Sequence, residues 1–377
     1  MIVVVEPTYG QHDHAAVNAA LLDAIALAFP GEPILFASSP VQRSHVERIH
    51  AVPPQMDVAD IAVGAPGGVK PGRMLSQWRA LRAVVGAHGP RIVILLSAGP
   101  ETLFAARALA IEFPAVRLFI VLHGNLADAA RQRSRDPRRR LIDMRAGLSA
   151  VRHPRIRLVV LAEHVRTAIV ADGLAPAEDI VVWPHPVASE EIDPHPAAEP
   201  HAPIRIAFLG SALRRKGFDK FVALVRAVAA ARRDLYRFSL IGTPLEHFPE
   251  ATGIVEMPGL PLDRAEYLRR LRAVDYVALL FDETADRFTA SGSLLDCAAQ
   301  ARPVVTLDLA AVRNLAEGFG PIGFTCGSMD EMTSLLLDRP EALADGERYG
   351  RHRSALMRAA ASRLPGPTAA LIRRDAA

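Results

Sequence analysis

Short apolar runs rich in β-branched residues alternate along this chain with longer helical patterns, and that alternation constrains the fold more than any other feature. An unbroken apolar run leaves no polar face, so each such strand must be covered on both sides, as in a parallel sheet built from βαβ units. In the first half the runs are Ile2 to Val5, Ile34 to Ala37, Ile92 to Leu96, Leu118 to Leu122, Leu158 to Leu161 and Ile180 to Val182. Helical patterns separate most of them. One, Ala15 to Ala28, is apolar almost throughout and is expected to be well buried.

From Trp183 to Pro203 the pattern breaks, with six prolines among small and acidic residues, a composition that favours extended, exposed backbone. It then restarts, with strands expected at Ile204 to Leu209, Phe238 to Ile241, Tyr276 to Phe281 and Val304 to Leu307. Helices are expected around Asp219 to Ala231, Arg264 to Ala273 and Ser293 to Gln300. A chain of 377 residues, 50% of them hydrophobic, can bury two full cores. The expected organisation is a first Rossmann-like domain over 1–186, a proline-rich linker over 187–203 and a second Rossmann-like domain over 204–355. The alanine- and arginine-rich tail, 356–377, reads as a helix free to pack back on the first domain. In doubly wound α/β domains ligands bind beyond the carboxyl ends of the strands, so chemistry is expected in loops bordering an interdomain cleft.

Several classes are excluded. Cys297 and Cys326 are too few and too isolated for a disulfide framework or a structural zinc site, which fits a reducing cytoplasm. The start, MIVVVEP, lacks the basic stretch of a signal peptide, and no apolar run reaches the roughly 18 to 20 residues that cross a bilayer. A protein neither secreted nor integral is expected. Net charge is only +3, yet Arg131 to Arg157 hold ten arginines against Asp136 and Asp143. Such a segment suits a solvated helix and loop, or peripheral contact with an anionic membrane surface on the cytoplasmic side. It lacks interleaved aromatics, which argues against nucleic acid.

The clearest candidate site is the stretch IRIAFLGSALRRKGFDKF. A strand ends at Gly210, a short loop carries Ser211, Arg214, Arg215 and Lys216, and Gly217 precedes a helix. A diphosphate needs exposed N–H groups, positive side chains and close backbone approach, and this turn offers all three. An ordinary basic turn with a glycine cap has the same composition. In a second stretch, Thr289, Ser291, Gly292 and Ser293 precede a helix, where they either cap it or present N–H groups and hydroxyls to phosphate. Asp296, one turn on, suits ribose hydroxyls or a plain helix surface.

These residues resemble the donor domain of GT-B glycosyltransferases, especially the large family 4 group. That family carries Gly, then Arg, then Lys-Gly in one loop. Gly210, Lys216 and Gly217 match, while Ser211 stands where the arginine is expected and Arg214 or Arg215 is left to supply its charge. The family also places two glutamates ahead of a Gly-x-Pro-Val-Val run. Here Ala301, Arg302, Pro303, Val304 and Val305 match the run, Asp296 stands at the second glutamate and Phe288 at the first.

In the first half the loop EPTYGQHDHAAVN and the residues His123, Gly124 and Asn125 follow strands. The resemblance implies that Gly10 approaches the donor phosphates or the acceptor and that His123 touches the donor sugar. An inverting enzyme needs a base for the acceptor proton, for which His12 and Asp13 are candidates. Glu163, His164 and His185 also lie near strand ends, where capping and hinge hydrogen bonds are the commoner use.

The resemblance implies transfer of a sugar from a nucleoside diphosphate sugar to a glycan or glycolipid hydroxyl, with neither cofactor nor essential metal, since no Asp-x-Asp motif stands out. Surface polysaccharide or glycolipid synthesis in a bacterium is the expected setting. A sugar-nucleotide epimerase of the same fold and a catalytically silent GT-B scaffold are the alternatives.

Overall fold

A computed structural model describes residues 1–9, 14–62, 71–124, 126–130, 136, 143–193, 199–259, 262–281 and 287–377. The chain divides into two compact units. One is Met1–Ala188 with Phe288–Ala290 and Arg363–Ala377; the other is Ser189–Arg287 with Ser291–Ser362.

The first unit is built on parallel strands β1 (Ile2–Val5), β2 (Ile34–Ser38), β3 (Met56–Asp60), β4 (Ile92–Leu95), β5 (Arg117–Val121), β6 (Ile156–Val160) and β7 (Ile180–Val182). Their order is β3-β2-β1-β4-β5-β6-β7. Side chains alternate across a strand, so Ile2 and Val4 enter the core that holds helix Ala15–Ala28, while Val3 and Val5 enter the core that holds helix Pro100–Glu112. Both faces of β1 are covered, which is why its run is unbroken. The order reverses between β1 and β4, and the helices that follow those strands lie on opposite faces. A crevice therefore opens at the carboxyl ends of β1 and β4.

The tail divides at Pro365. Helix Gly346–Ala361 belongs to the second unit and helix Pro365–Ala376 to the first, where Ala369, Ile372 and Ala376 join the core of helix Ala15–Ala28. The single helix expected over 356–377 is thus two, because proline suits a first helical turn and cannot continue a preceding one. Trp183 is fully buried, and its indole N–H donates to Asp375 at 3.0 Å.

In the second unit the strands are β8 (Ile204–Leu209), β9 (Tyr236–Ile241), β10 (Tyr276–Leu279), β11 (Val304–Leu307) and β12 (Gly323–Cys326), all parallel in the order β12-β11-β10-β8-β9. Phe218 packs edge to face on Phe208 and Phe248, with ring centroids 5.0 and 4.7 Å away. This unit begins at Ser189, inside the stretch expected to be an exposed linker. Ser189–Glu191 form a 3₁₀ turn, Asp193 is buried with its N–H on the Ala299 carbonyl at 2.9 Å, and the Gln300 amide donates to the Glu191 carbonyl. Proline content forecast extension; these hydrogen bonds hold Ser189 to Asp193 down instead, while 194–198 of the expected linker lie outside the described residues.

No helix among the described residues is long and apolar enough to cross a membrane.

Candidate functional site

In the second unit the sheet order reverses between β8 and β10, and the loop after β8 is held tightly there. Gly210 has φ 99°. The Ala212 N–H donates to the Thr243 carbonyl at 2.9 Å, and the Leu245 N–H donates to the Ala212 carbonyl at 3.3 Å, pairing this loop with the one after β9. Gly242 lets the two meet, since a Cβ there would stand 1.9 Å from the Gly210 carbonyl oxygen. Arg214–Lys216 form a 3₁₀ turn that ends at Gly217, φ 81°, and helix Phe218–Arg232 follows. A Cβ on Gly217 would stand 1.9 Å from the Leu280 carbonyl oxygen. Only glycine satisfies both the dihedral and the approach.

Three cations follow Ser211 in this loop, and they differ in use. Arg214 is engaged: its N–H donates to Glu246 at 3.1 Å, its guanidinium lies 3.8 Å from Glu246 and from Glu250, and it covers the Phe248 ring. The side chains of Arg215 and Lys216 make no hydrogen bond or ion pair with any described residue. Burial lowers the Lys216 pKa, and the Arg215 charge lowers it further. An ammonium in that state gains from an anion.

Helix Gly292–Ala299 begins beside this loop. Ser291 is its cap, its hydroxyl accepting from the Leu294 N–H at 3.3 Å. The Ser293 hydroxyl donates to the Leu209 carbonyl at 3.5 Å and lies 3.2 Å from where a Gly210 Cβ would be. Gly210 and Ser293, far apart in sequence, are therefore brought together. A Cβ on Gly292 would meet none of the described residues within 4 Å. Asp296 is held from within the unit: Oδ1 accepts from Arg264 at 2.7 Å and Oδ2 from the Tyr267 hydroxyl at 2.8 Å, while Arg264 also grips Glu191 with two bonds of 2.7 Å. Sequence reasoning missed this network. Phe288, at the position of the family's first glutamate, is 3% exposed in a core of the first unit.

In the first unit the loops after β1, β5 and β7 bring imidazoles together. His123 packs edge to face on His14 with centroids 3.8 Å apart, His14 lies 4.1 Å from the Tyr9 ring, and His185 lies 6.4 Å from His123. Gly124 makes room, because a Cβ there would stand 2.6 Å from the Tyr9 hydroxyl. Burial, with the neighbouring His14 and His185, depresses the His123 pKa well below the ordinary histidine value. Its Nε2 is buried without a hydrogen-bond partner among the described residues. A neutral imidazole with an unsatisfied nitrogen is suited to a hydroxyl or a water. His14 stands at φ 64°, an uncommon conformation for a residue other than glycine. In the sequence it stands out only as a weaker candidate beside His12 and Asp13 in the loop after β1. Gly10, His12 and Asp13 lie outside the described residues, as do six of the ten arginines of the basic stretch; among the others Arg145 donates to the Ala129 carbonyl and Arg152 pairs with Asp179. Glu163 pairs with Arg166, and His164 Nε2 lies 3.1 Å from the Thr289 carbonyl.

No protein-family model and no curated protein sequence matches the chain. Solved structures do. HepE of Anabaena, in complex with UDP and glucose, superposes with a TM-score of 0.65 at 15% identity over 99% of this chain and 98% of that one. Sucrose-phosphate synthase of Thermosynechococcus elongatus gives 0.67 at 14% identity over 99% and 98%. A putative UDP-N-acetylglucosamine 2-epimerase of Listeria monocytogenes gives 0.57 at 16% identity over 98% and 93%. At such identities the likeness is one of fold. Two parallel-sheet Rossmann-like units, matched over nearly the whole chain by glycosyltransferase structures, define the class: the chain has the GT-B fold.

Proposed function

We propose that this protein is a glycosyltransferase that moves a sugar from a nucleoside diphosphate sugar to a hydroxyl acceptor. The observation that carries the reading is the loop Gly210 to Gly217, where tightly approached backbone, a neighbouring helix N-terminus and two uncommitted cations occur together at the carboxyl end of β8. In the reaction the bond between the anomeric carbon and the diphosphate oxygen breaks, the acceptor oxygen bonds to that carbon, and the hydroxyl proton is lost. Negative charge grows on the diphosphate. Lys216, Arg215 and the N–H groups from Ser291 to Ser293 are the proposed groups that meet it, without a metal or a cofactor. Asp296 is the proposed ribose contact, through lone pairs that Arg264 and Tyr267 leave available. His123 is the proposed contact to the transferring sugar, with Gly10 near the phosphates or the acceptor and His12 or Asp13 as base if the configuration inverts. A glycan or glycolipid acceptor of bacterial surface polysaccharide synthesis, met at an anionic membrane by the Arg131 to Arg157 stretch, completes the reading.

Thermal unfolding against UDP, GDP, TDP, CMP and their sugar conjugates tests it, since a ligand of the native state raises the transition. A shift with one diphosphate that Lys216→Ala abolishes is expected; no shift with any nucleotide would refute the donor site. A second reading, a GT-B binding protein without turnover, draws on Phe288, which is committed to a core, and on the double engagement of Asp296. Nucleotide binding without consumption of any sugar conjugate would favour it.

A further inference from the structure

Glu6 follows β1 and is fully buried, at the point where the order of the first sheet reverses between β1 and β4. Its carboxylate has four donors and, among the described residues, no cation. Oε1 accepts from the N–H groups of Thr8 and Tyr9, each at 3.0 Å, and from the Ser97 hydroxyl; Oε2 accepts from the Asn18 amide at 2.9 Å. Every partner donates, the pattern that an acceptor-only ionised carboxylate requires. Burial acts against it and raises the Glu6 pKa. A buried carboxylate without a cation is costly, so its placement calls for a use.

The donors come from three places. Thr8 and Tyr9 open the loop after β1, Asn18 sits on the helix where that loop closes, and Ser97 follows β4. Residues 10–13 lie between the two attachments. Tyr9 then rests on His14, and His14 on His123. His14 holds a conformation that a histidine rarely adopts unless its surroundings enforce it.

We propose that Glu6 is a positioning residue, a carboxylate clamp that fastens both ends of the loop from 7 to 14 and so sets Tyr9 and His14 against His123 for the transfer reaction. The use of the loop rests on the glycosyltransferase reading; the clamp itself does not. An apolar residue at this position leaves the Thr8 and Tyr9 amides, the Ser97 hydroxyl and the Asn18 amide without their acceptor. Glutamine keeps one oxygen as acceptor and puts an amide in place of the other. Asn18 Oδ1, buried without a partner among the described residues, accepts from that new amide once the Asn18 side chain turns over.

Two NMR measurements on the full chain test the clamp. In the wild type, the Thr8 and Tyr9 amides exchange as slowly as those of β1. In Glu6→Met they exchange about a hundredfold faster, and the His123 titration moves up towards the ordinary histidine value as its packing loosens. Glu6→Gln recovers most of both changes. With UDP-glucose as the turnover probe, Glu6→Met lowers kcat by about a hundredfold while changing KM far less. If Glu6→Met fails to fold, Asn18→Leu replaces it, and the wild-type exchange rates still decide. Fast Thr8 and Tyr9 exchange in the wild type, or a His123 titration unmoved in a folded variant, overturns the clamp. Absence of UDP-glucose turnover by the wild type rules out this sugar nucleotide as donor and leaves both NMR measurements to judge Glu6.

Discussion

Arg264 lies 2.7 Å from Asp296 and grips Glu191 with the same guanidinium, so the carboxylate beside the candidate phosphate loop is already balanced by a cation of its own unit. Glu191 sits in the turn that opens the second unit, and Arg264 opens helix Arg264–Arg272. One side chain thus ties the start of the unit to helix Gly292–Ala299.

Removing that cation strands two half-buried carboxylates. Arg264→Met is expected to lower unfolding stability by about 3 kcal/mol, and Tyr267→Phe, which removes one donor to a charged oxygen, by about 1.5 kcal/mol. Chemical denaturation measures both; an Arg264→Met variant as stable as the wild type would show that the network contributes nothing.

Stability is expected to fall between neutral pH and about pH 4. His352 is buried, which lowers its pKa to about 4, with the charges of Arg348 and Arg351 adding to the shift; burial depresses His123 as well. In the unfolded chain both titrate near 6.5. Below that value the unfolded state binds more protons, so it gains on the native state until the folded pKa is reached. For His352 the loss amounts to roughly 2 to 3 kcal/mol. Melting temperatures of the wild type and of His352→Phe, followed from pH 7 to 4, should converge; parallel curves would remove His352 from the account.

Gly242→Ala should be among the most damaging single changes in the second unit. Its Cβ would overlap the Gly210 backbone, and backbone cannot yield as a side-chain tip does. A loss above about 3 kcal/mol is expected, or failure to accumulate soluble protein. Normal expression with an unshifted melting temperature would contradict the close approach of the two loops.

Gly292→Ala separates folding from binding. The added methyl meets no described residue within 4 Å, and alanine favours a helix, so stability should stay within about 0.5 kcal/mol or rise. Calorimetry with the diphosphate that shifts the melting transition should show weaker binding, because the methyl occupies the approach to the helix N-terminus. Unchanged affinity would move the phosphates away from Gly292.

Much of the architecture was legible in the sequence, and what was missed has a pattern. The strands β1, β2, β4 to β8, β10 and β11 announce themselves as largely apolar runs. Two edge strands do not: β3 reads MDVAD with Val58 48% exposed, and β12 reads GFTC with most of its residues only partly buried. An edge strand is covered on fewer sides, so its composition is free of the rule that exposed the others. The basic turn at Lys216 was visible because glycines and cations are local. Glu6 was not, since a buried acid carries no periodic signature, and for His14 the sequence showed a weaker candidate but neither its left-handed conformation nor its contact with His123.

The sequence by itself determined two parallel-sheet units, the turn that gathers Arg214, Arg215 and Lys216 after β8, and the serine cap of helix Gly292–Ala299. Each depends on a few neighbours along the chain, where apolar period, capping chemistry and turn sterics act directly. Tertiary structure decided that Asp296 is held by Arg264 and Tyr267, that Phe288 and the last helix join the first unit, and that His14 meets His123. Those pairings depend on strand order and on which helix covers which face, and they arise only when segments far apart in sequence compete to bury the same apolar surface.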